Sequence, residues 1–219
     1  MFERDSSLES SGPTVRATLI FQHLKVQNAN TIASPLTWGF PAITAFTGLM
    51  TALERRIGTQ GGLKLYGVGV ICHSCNPQVT RGGYVRKFCL TRNPVKKDGE
   101  TAAIVEEGRV HLDLTLVFDA ELSTDYIAEE KRAAVASHVA DLLSGMRLAG
   151  GSVMPDSASA TRQSHEPQLR LIPDDDDERL NQFKQMSRRW LPGFALVSRD
   201  ELLVQRLQEL REALIKTGF

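Results

Sequence analysis

The chain has 219 residues, 42% of them hydrophobic, which is enough to build one sizeable core. No window approaches the run of about 18 apolar residues that a membrane span needs. The acidic stretch 1–14 fits neither a signal peptide nor a transit peptide, so we expect a disordered start and a cytoplasmic protein. Three cysteines favour reduced thiols over a disulfide framework.

The formal net charge of zero hides two oppositely charged blocks. Residues 10–97 hold eleven basic residues and one acidic residue, whereas residues 98–178 hold six basic and eighteen acidic residues. If the fold keeps these blocks apart, the basic face suits a polyanion and the acidic face repels one. If the blocks interleave in space, the asymmetry cancels, and the sequence leaves both arrangements open.

The first half of the chain predicts a strand, a helix, a second strand and a basic arm. The strands are predicted over 17–26 and 63–73, and the helix over 41–58, where apolar residues recur at helical spacing. Glycine and Asn-Pro turn signals then accompany a run of basic residues without acids, which predicts an arm inserted over 76–109. The basic residues of this arm are Arg81, Arg86, Lys87, Arg92, Lys96 and Lys97.

The second half predicts a strand over 110–118, a helix over 126–144 and the glycine-bearing loop MRLAGGSVMP. An acidic loop is predicted over 156–178, ending in DDDDE, and is followed by a strand near Phe194 and a last helix. Without its insertions this order is close to the β-α-β-β-α-β plan of ferredoxin-like folds. We therefore expect an α+β class and one domain over 15–219.

Signals for a metal, a cofactor or catalysis are weak. The CHSC motif at 72–75, with Cys89 downstream, lacks the second pair of ligands that structural zinc sites use, and Cys72 ends an apolar strand. The run DDDDE is typical of a solvated loop rather than a magnesium site. The five histidines stand apart in sequence and no nucleophile elbow is present. We predict no catalytic residue, no metal and no cofactor.

Nucleic-acid chemistry is the best supported function. The basic side chains of the arm can meet phosphates, and Tyr84, Phe88 and Trp190 lie beside basic residues as candidate stacking groups. The amides of Gln27, Asn28 and Asn30 can hydrogen-bond base edges of a single strand. The alternative for the two asparagines is that they satisfy backbone groups in a turn.

Four segments, in this order, carry a resemblance to a known family. They are VQNANTIASPLTWGFPAITAFTGLMTALERRIG, LTRNPVKKDGETAAIVEEGR, MRLAGGSVMP and RRWLPGFALVSR, which together span nearly the whole chain from Val26 onward. They resemble the second Csy subunit of the type I-F CRISPR surveillance complex, which is the Cas-five-type member of the RAMP superfamily. The resemblance implies an RRM-like (ferredoxin-like) RAMP core with a basic, thumb-like arm.

The resemblance also implies a non-catalytic subunit that pairs with the large Csy subunit, contacts the first backbone Csy subunit and reaches target DNA only through the complex. On this mapping the polar loop after the first strand faces the RNA or the large subunit, with Ser34, Thr37 and Trp38 at a partner interface. Taken together, the basic residues and this mapping predict that the RNA is bound by Gln27, Asn28, Asn30, Arg81, Arg86, Lys87, Arg92, Asn93, Arg147, Gly150, Gly151, Arg188 and Arg189.

Family members continue well past the position of Phe219, so the chain matches the amino-terminal two-thirds of the family. Two alternatives stay open on the sequence. A shortened viral or mobile-element homologue would inhibit CRISPR immunity by entering or sequestering the complex. An RNA-processing enzyme is the other alternative, although no convincing catalytic histidine supports it.

Overall fold

The computed structural model describes residues 12–58, 62–92, 95–101, 104–154 and 166–216. In chain order its strands are β1 (Thr14–Asn30), β2 (Ile32–Ser34), β3 (Thr37–Trp38), β4 (Leu63–Pro77), β5 (Val79–Gly82), β6 (Val85–Phe88), β7 (Leu90–Arg92), β8 (Ile104–Glu106), β9 (Arg109–Ser123), β10 (Arg147–Leu148), β11 (Gly151–Val153), β12 (Gln168–Leu171) and β13 (Phe194–Ala195). The helices are α1 (Ile43–Ile57), α2 (Glu129–Ser144), α3 (Asp176–Arg189) and α4 (Asp200–Lys216). Most of the predicted disordered segment 1–14 lies outside the described residues, and Thr14 already belongs to β1.

An antiparallel sheet organises the described part of the chain. It contains seven strands in the order β10-β11-β1-β9-β4-β13, and β12 also pairs with β1. Both β11 and β12 lie on the same side of β1, β12 beside residues 17–20 and β11 beside residues 26–27. The protein is therefore an α+β fold, as the order of predicted elements indicated.

The centre of the core is β9, whose side chains alternate between the two faces of the sheet. Leu112, Leu114, Leu116 and Phe118 are all buried on one face, where they join residues of α1 and α2 in the main hydrophobic cluster. Burial of each such side chain contributes about 1.5–3 kcal/mol. Both helices therefore pack on this face, which we call the helix face.

Helix α1 has the predicted apolar stripe, but it begins later in the chain than predicted. Phe46, Leu49, Leu53 and Ile57 are buried at helical spacing. The helix begins two residues after Pro41, and Gly58 ends it with a φ of 66° that suits glycine. Ile43, the first residue of the helix, is half exposed.

The predicted acidic loop over 156–178 is wrong in its second part, because Gln168–Leu171 form β12 and Asp176 begins α3. The Asp175 carboxylate accepts a hydrogen bond from the backbone N–H of Glu178 at 2.9 Å, which caps the helix. The following acids lie in the first turn, where the helix dipole favours negative charge. The run DDDDE thus starts a helix instead of remaining a solvated loop.

Helix α3 crosses the other face of the sheet, which we call the open face. Its Met186 and the adjacent Trp190 are 8% exposed and pack with Ile20 of β1. Ile71 of β4 and Val117 of β9 border the same small cluster. After α3 the chain pairs as β13 with β4, so residues 168–195 run from one side of the sheet to the other.

Two bulges bend β1. The pairing of β1 with β9 shifts register between Phe21 and Leu24 and again between Val26 and Ala29. His23 and Asn28 lie inside these shifts with φ angles of 52° and 57°, as expected for bulge residues outside the normal strand conformation. The bulges set which side chains at this end of β1 face outward.

Candidate nucleic-acid interface

A row of three exposed polar side chains crosses the end of the sheet. Gln27 of β1 is paired with Ser152 of β11, which is paired in turn with Arg147 of β10. Residues paired directly across strands point to the same face, and all three are exposed while their neighbours Val26 and Val153 are buried. This polar row therefore presents a carboxamide, a hydroxyl and a guanidinium side by side.

The glycine-bearing loop forms the tight hairpin that carries this row. Ala149 and Gly150 join β10 to β11 with φ angles of 49° and 76°, which is the pattern of a type I′ turn. The backbone N–H of Asn30 donates to the carbonyl of Ala149 at 2.8 Å and ties the hairpin to β1. A Cβ on Gly150 would meet no atom within 4 Å, so its backbone faces open space.

Gly151 has a different role from Gly150. A Cβ at Gly151 would lie 2.6 Å from the backbone nitrogen of Ala29 and 2.7 Å from the carbonyl oxygen of Gln27. Its missing side chain therefore allows β11 to approach β1 closely. Gly151 is therefore explained by strand packing, whereas Gly150 is the glycine of this turn that leaves space for a ligand.

Asn28 and Asn30 are held by the fold. The backbone N–H of Asn28 donates to Nδ1 of His111 at 3.2 Å, and its carbonyl accepts from Arg109 at 3.2 Å. The side-chain amide of Asn30 both donates to and accepts from the backbone of Ile32. Asn30 thus uses its amide within the turn, as in the local alternative, whereas the side chain of Asn28 is exposed.

The basic arm projects from the same end of the sheet. β5 and β6 form a hairpin, the arm hairpin, in which Arg81 is paired directly with Arg86 and Thr80 with Lys87. Like charges directly opposite on a two-stranded hairpin destabilise it, so this pair favours a bound polyanion. Tyr84 at the tip is fully exposed.

The rest of the arm is only partly described. Arg92 belongs to β7, which pairs with β8, but its side chain and the whole of Asn93 lie outside the described residues. The base of the arm joins the sheet where the N–H of Gln78 donates to the carbonyl of Arg109 at 2.8 Å. Arg109 is paired with Asn30, so the arm and the end of β1 are neighbours.

The predicted polar loop is a second small hairpin formed by β2 and β3. The hydroxyls of Ser34 and Thr37 are 2.7 Å apart and hydrogen-bonded, and the backbone N–H of Leu36 donates to Ser34. The Trp38 ring is 48% exposed and meets Phe88 of the arm hairpin edge to face, with ring centroids 5.3 Å apart. Phe88 therefore connects the two hairpins through this aromatic contact.

Arg188 and Arg189 lie apart from these elements, exposed in the last turn of α3 over the open face. Trp190, interpreted from the sequence as a stacking group, is wrong in that role because its ring is buried against Ile20 and Met186. The structure thus brings together the residues of the polar row, the two asparagines and the arm hairpin, but not Arg188 and Arg189.

The sequence did not predict a polar cluster on the open face, which lies beside the turn that follows α3. The rings of His23 and His73 stack with centroids 4.1 Å apart. His23 Nδ1 is 3.0 Å from Asp113, which also binds Lys25. Because each histidine lies in a separate strand, only the pairing of β1 and β4 with β9 could have revealed the contact.

His73 holds together three parts of this region. Its Nδ1 donates to the carbonyl of Pro192 at 2.8 Å, and its Nε2 lies 2.7 Å from the hydroxyl of Thr115, which is fully buried. The Thr115 hydroxyl also accepts the backbone N–H of His23 at 3.3 Å. His73 thereby fixes the turn after α3 against β9.

Cys72, Cys75 and Cys89 are free thiols. Burial raises the pKa of Cys72, and the neighbouring Cys75 and Asp113 add to that effect. Desolvation also raises the pKa of Cys75, whose Sγ donates to the carbonyl of Gly39. Among the described residues, no group of three or more His, Cys, Asp or Glu side chains is placed to hold a metal.

None of the described helices combines the length and the apolar character that a membrane crossing requires.

Comparisons with known proteins identify relatives of the chain. A family model described as CRISPR-associated protein (Cas_Csy2) matches residues 19–217. The CRISPR-associated protein Csy2 of Pseudomonas aeruginosa (strain UCBPP-PA14) is 44% identical over 200 residues, which cover 90% of this chain and 60% of that protein. The chain thus spans about 60% of the length of this relative.

Proposed function

This chain belongs to the Csy2 family of CRISPR-associated proteins, and from that membership we propose that it is a non-catalytic subunit of a type I-F CRISPR complex that binds the five-prime handle of the CRISPR RNA. Its partners in this proposal are the large Csy subunit and the first backbone Csy subunit. Target DNA is reached only through the assembled complex, by pairing with the guide. The proposal places the chain in the cytoplasm, where the complex meets foreign DNA.

The proposal includes an RRM-like (ferredoxin-like) core. The elements β1, α1, β4, β9, α2 and β12 follow one another in the chain, as in the split β-α-β plan. In the sheet, β9 lies between β1 and β4, and β12 lies on the other side of β1. On this assignment β5 to β8 form the inserted, thumb-like arm, and β2 with β3 fills the connection before α1.

The observation that carries the RNA proposal is the polar row beside the arm hairpin. Arg147, Ser152 and Gln27 offer donors and acceptors in one line, which suits the edges of unstacked bases. The paired Arg81 and Arg86 at the same end suit the phosphate chain. A single strand that runs from the arm to the polar row would meet phosphate contacts first and base contacts second.

The β2–β3 hairpin is our candidate for the contact with the large subunit. Trp38 presents an exposed ring and the neighbouring Leu36 is 94% exposed, and aromatic residues are favoured anchors at protein interfaces. The hydroxyls of Ser34 and Thr37 are already bonded to each other and hold the turn in shape. No observation on the chain or its relatives favours the inhibitory alternative, which we do not propose.

The test is RNA binding by the purified chain, measured as fluorescence anisotropy of labelled single-stranded RNA at several salt concentrations. Each phosphate contact to a single strand adds about 0.7 to the salt slope, so Arg86→Ala with Lys87→Ala should flatten the slope by about 1.4. Arg147→Ala with Gln27→Ala should instead cost about 1–3 kcal/mol of binding free energy and reduce discrimination between RNA sequences.

The matched control is Arg55→Ala with Arg56→Ala, which removes two exposed charges at the end of α1, on the helix face of the sheet. This variant should retain the wild-type slope. If it flattens the slope as much as the arm variant does, binding is general attraction to basic protein and the assignment of the interface fails.

A further inference from the structure

Helix α4 carries an exposed leucine seam. Leu203, Leu207 and Leu210 follow the alternating spacing of four and three residues that defines a heptad stripe, and Leu214 continues it. Leu203 is 73% exposed, Leu207 47% and Leu210 52%. Every described side chain of α4, from residue 200 to residue 214, is exposed.

Such a helix needs a surface to pack on. Isolated helices of about 15 residues are marginal in water, and most helices in proteins are stabilised by packing of an apolar face. Val204, which follows Leu203 in the chain, widens the stripe and is about half exposed. A contiguous exposed apolar stripe of this kind is typical of an interaction site.

The charges beside the seam indicate what covers it. With Leu203 and Leu210 at d positions and Leu207 at an a position, Arg206 falls at g and Arg211 at e, the two positions that flank the seam. The acids Glu209 and Glu212 lie on the outer side of the helix. The carboxylate of Glu209 lies 2.9 Å from the guanidinium of Arg206 and partly neutralises it. The ionic side chains at the flanking positions of α4 are nevertheless both arginines, so the flanks are basic.

A second copy of the same helix fits this pattern poorly. In a parallel pair, Arg206 of one helix would face Arg211 of the other. In an antiparallel pair, each arginine would lie on the same side as its own copy. Like charges at flanking positions disfavour pairing, so both the parallel and the antiparallel pair of α4 helices are unfavourable.

We propose that the leucine seam of α4 docks an amphipathic α-helix of a partner polypeptide, with leucine-like residues at its own a and d positions and Glu or Asp at its flanking positions. The apolar seam supplies the affinity. The basic flanks select the partner and its orientation, as charges at e and g positions do in coiled coils.

The test uses the whole chain and two designed helical peptides with the same leucine seam, one with Glu and one with Lys at all flanking positions. Fluorescence anisotropy of the labelled peptides should show about tenfold tighter binding of the Glu peptide at low salt, because each flanking arginine attracts Glu and repels Lys. Added salt should reduce this preference.

Two variants and a control assign the binding to α4. Leu207→Asp with Leu210→Asp should abolish binding of both peptides, and Arg206→Glu with Arg211→Glu should reverse the preference between them. Gln208→Ala, on the outer side of the helix, should behave as wild type. Since all of these side chains are exposed, circular dichroism should show folded variants.

The remaining outcomes overturn the proposal. If neither peptide binds, or if both bind equally, the seam does not select an acidic helix. Binding that survives in the Leu207 and Leu210 variant would lie elsewhere on the chain. Sedimentation equilibrium that shows a dimer, lost in that variant, would make a second copy the occupant.

Discussion

The imidazole rings of His23 and His73 stack with planes inclined by 24°, and the buried hydroxyl of Thr115 bonds both residues, one through its backbone and the other through its ring. These hydrogen bonds join β1, β4 and β9, since each of the three strands contributes one of the polar residues. A single oxygen atom thus satisfies two groups from different strands.

Thr115→Val keeps the shape of the side chain and removes this oxygen. We expect the free energy of unfolding to fall by about 1–3 kcal/mol, because the partly buried N–H of His23 and Nε2 of His73 lose this hydrogen bond. Urea denaturation measures the change. Thr115→Ser, which retains the hydroxyl, should be the more stable of the two variants. Equal or greater stability of the valine variant would contradict the assigned bonds.

Gly151→Ala should destabilise the protein. The new Cβ would meet backbone atoms of Gln27 and Ala29 at less than 3 Å, and backbone cannot rotate away as a side chain can. We expect a loss of about 1–3 kcal/mol, measured by thermal or urea unfolding. Gly48→Ala is the matched control. Gly48 lies in α1 with open space around it, so alanine there should stabilise the protein by about 0.5–1 kcal/mol.

The two tryptophans should differ sharply in their effect on stability. Trp38→Ala removes a half-exposed ring and its edge-to-face contact with Phe88, for which we expect about 0.5–1.5 kcal/mol. Trp190→Ala empties the small cluster under α3 and should cost about 3–5 kcal/mol. Urea unfolding of both variants provides the comparison. If the Trp38 variant loses as much as the Trp190 variant, Trp38 is a core residue and not an available interface anchor.

The phenol of Tyr66 should ionise at unusually high pH. Partial burial, together with the hydrogen bond that its hydroxyl donates to Glu121 at 2.8 Å, raises its pKa to about 12 from the usual value of about 10. Because the folded state holds this proton more tightly, the contribution to stability is complete below pH 10 and is lost as the pH rises towards 12.

Absorbance at the phenolate band during alkaline titration checks this prediction. Glu121→Gln should move the highest midpoint towards the usual value, and Tyr66→Phe should remove that component. If Tyr66→Phe leaves the high-pH component in place, another tyrosine is responsible.

The sequence predicts elements whose signals are local. The spacing of Phe46, Leu49 and Leu53 predicts a helix because each turn brings the next apolar residue to the same face. The pattern of β9 was equally clear, although the strand extends to Ser123 instead of ending at Phe118. The order of the main elements, and with it the α+β class, follows from such patterns.

Other features depend on contacts between residues distant in sequence, or on local geometry that cannot be read from residue types alone. The high charge of the run DDDDE predicts a solvated loop, but in the structure these acids cap and begin α3. Trp190 looks like a stacking residue beside two arginines until Ile20 and Met186 are seen to cover it. In the candidate interface, Arg147 and Gln27 lie on either side of Ser152 because of the strand register, which the sequence does not reveal. Which of these residues contacts RNA stays a prediction.

The path of residues 168–195 joins the two outer parts of the sheet. The segment begins paired with β1, crosses the open face as α3 and ends paired with β4, held in the middle by Met186 and Trp190. Because one segment pairs with both β1 and β4, we expect it to open as a unit, with loss of the α3 contact releasing β12 and β13 together. Such local opening would expose the backbone of β1 and of β4 at the same time, and would thus couple two distant strands of the sheet.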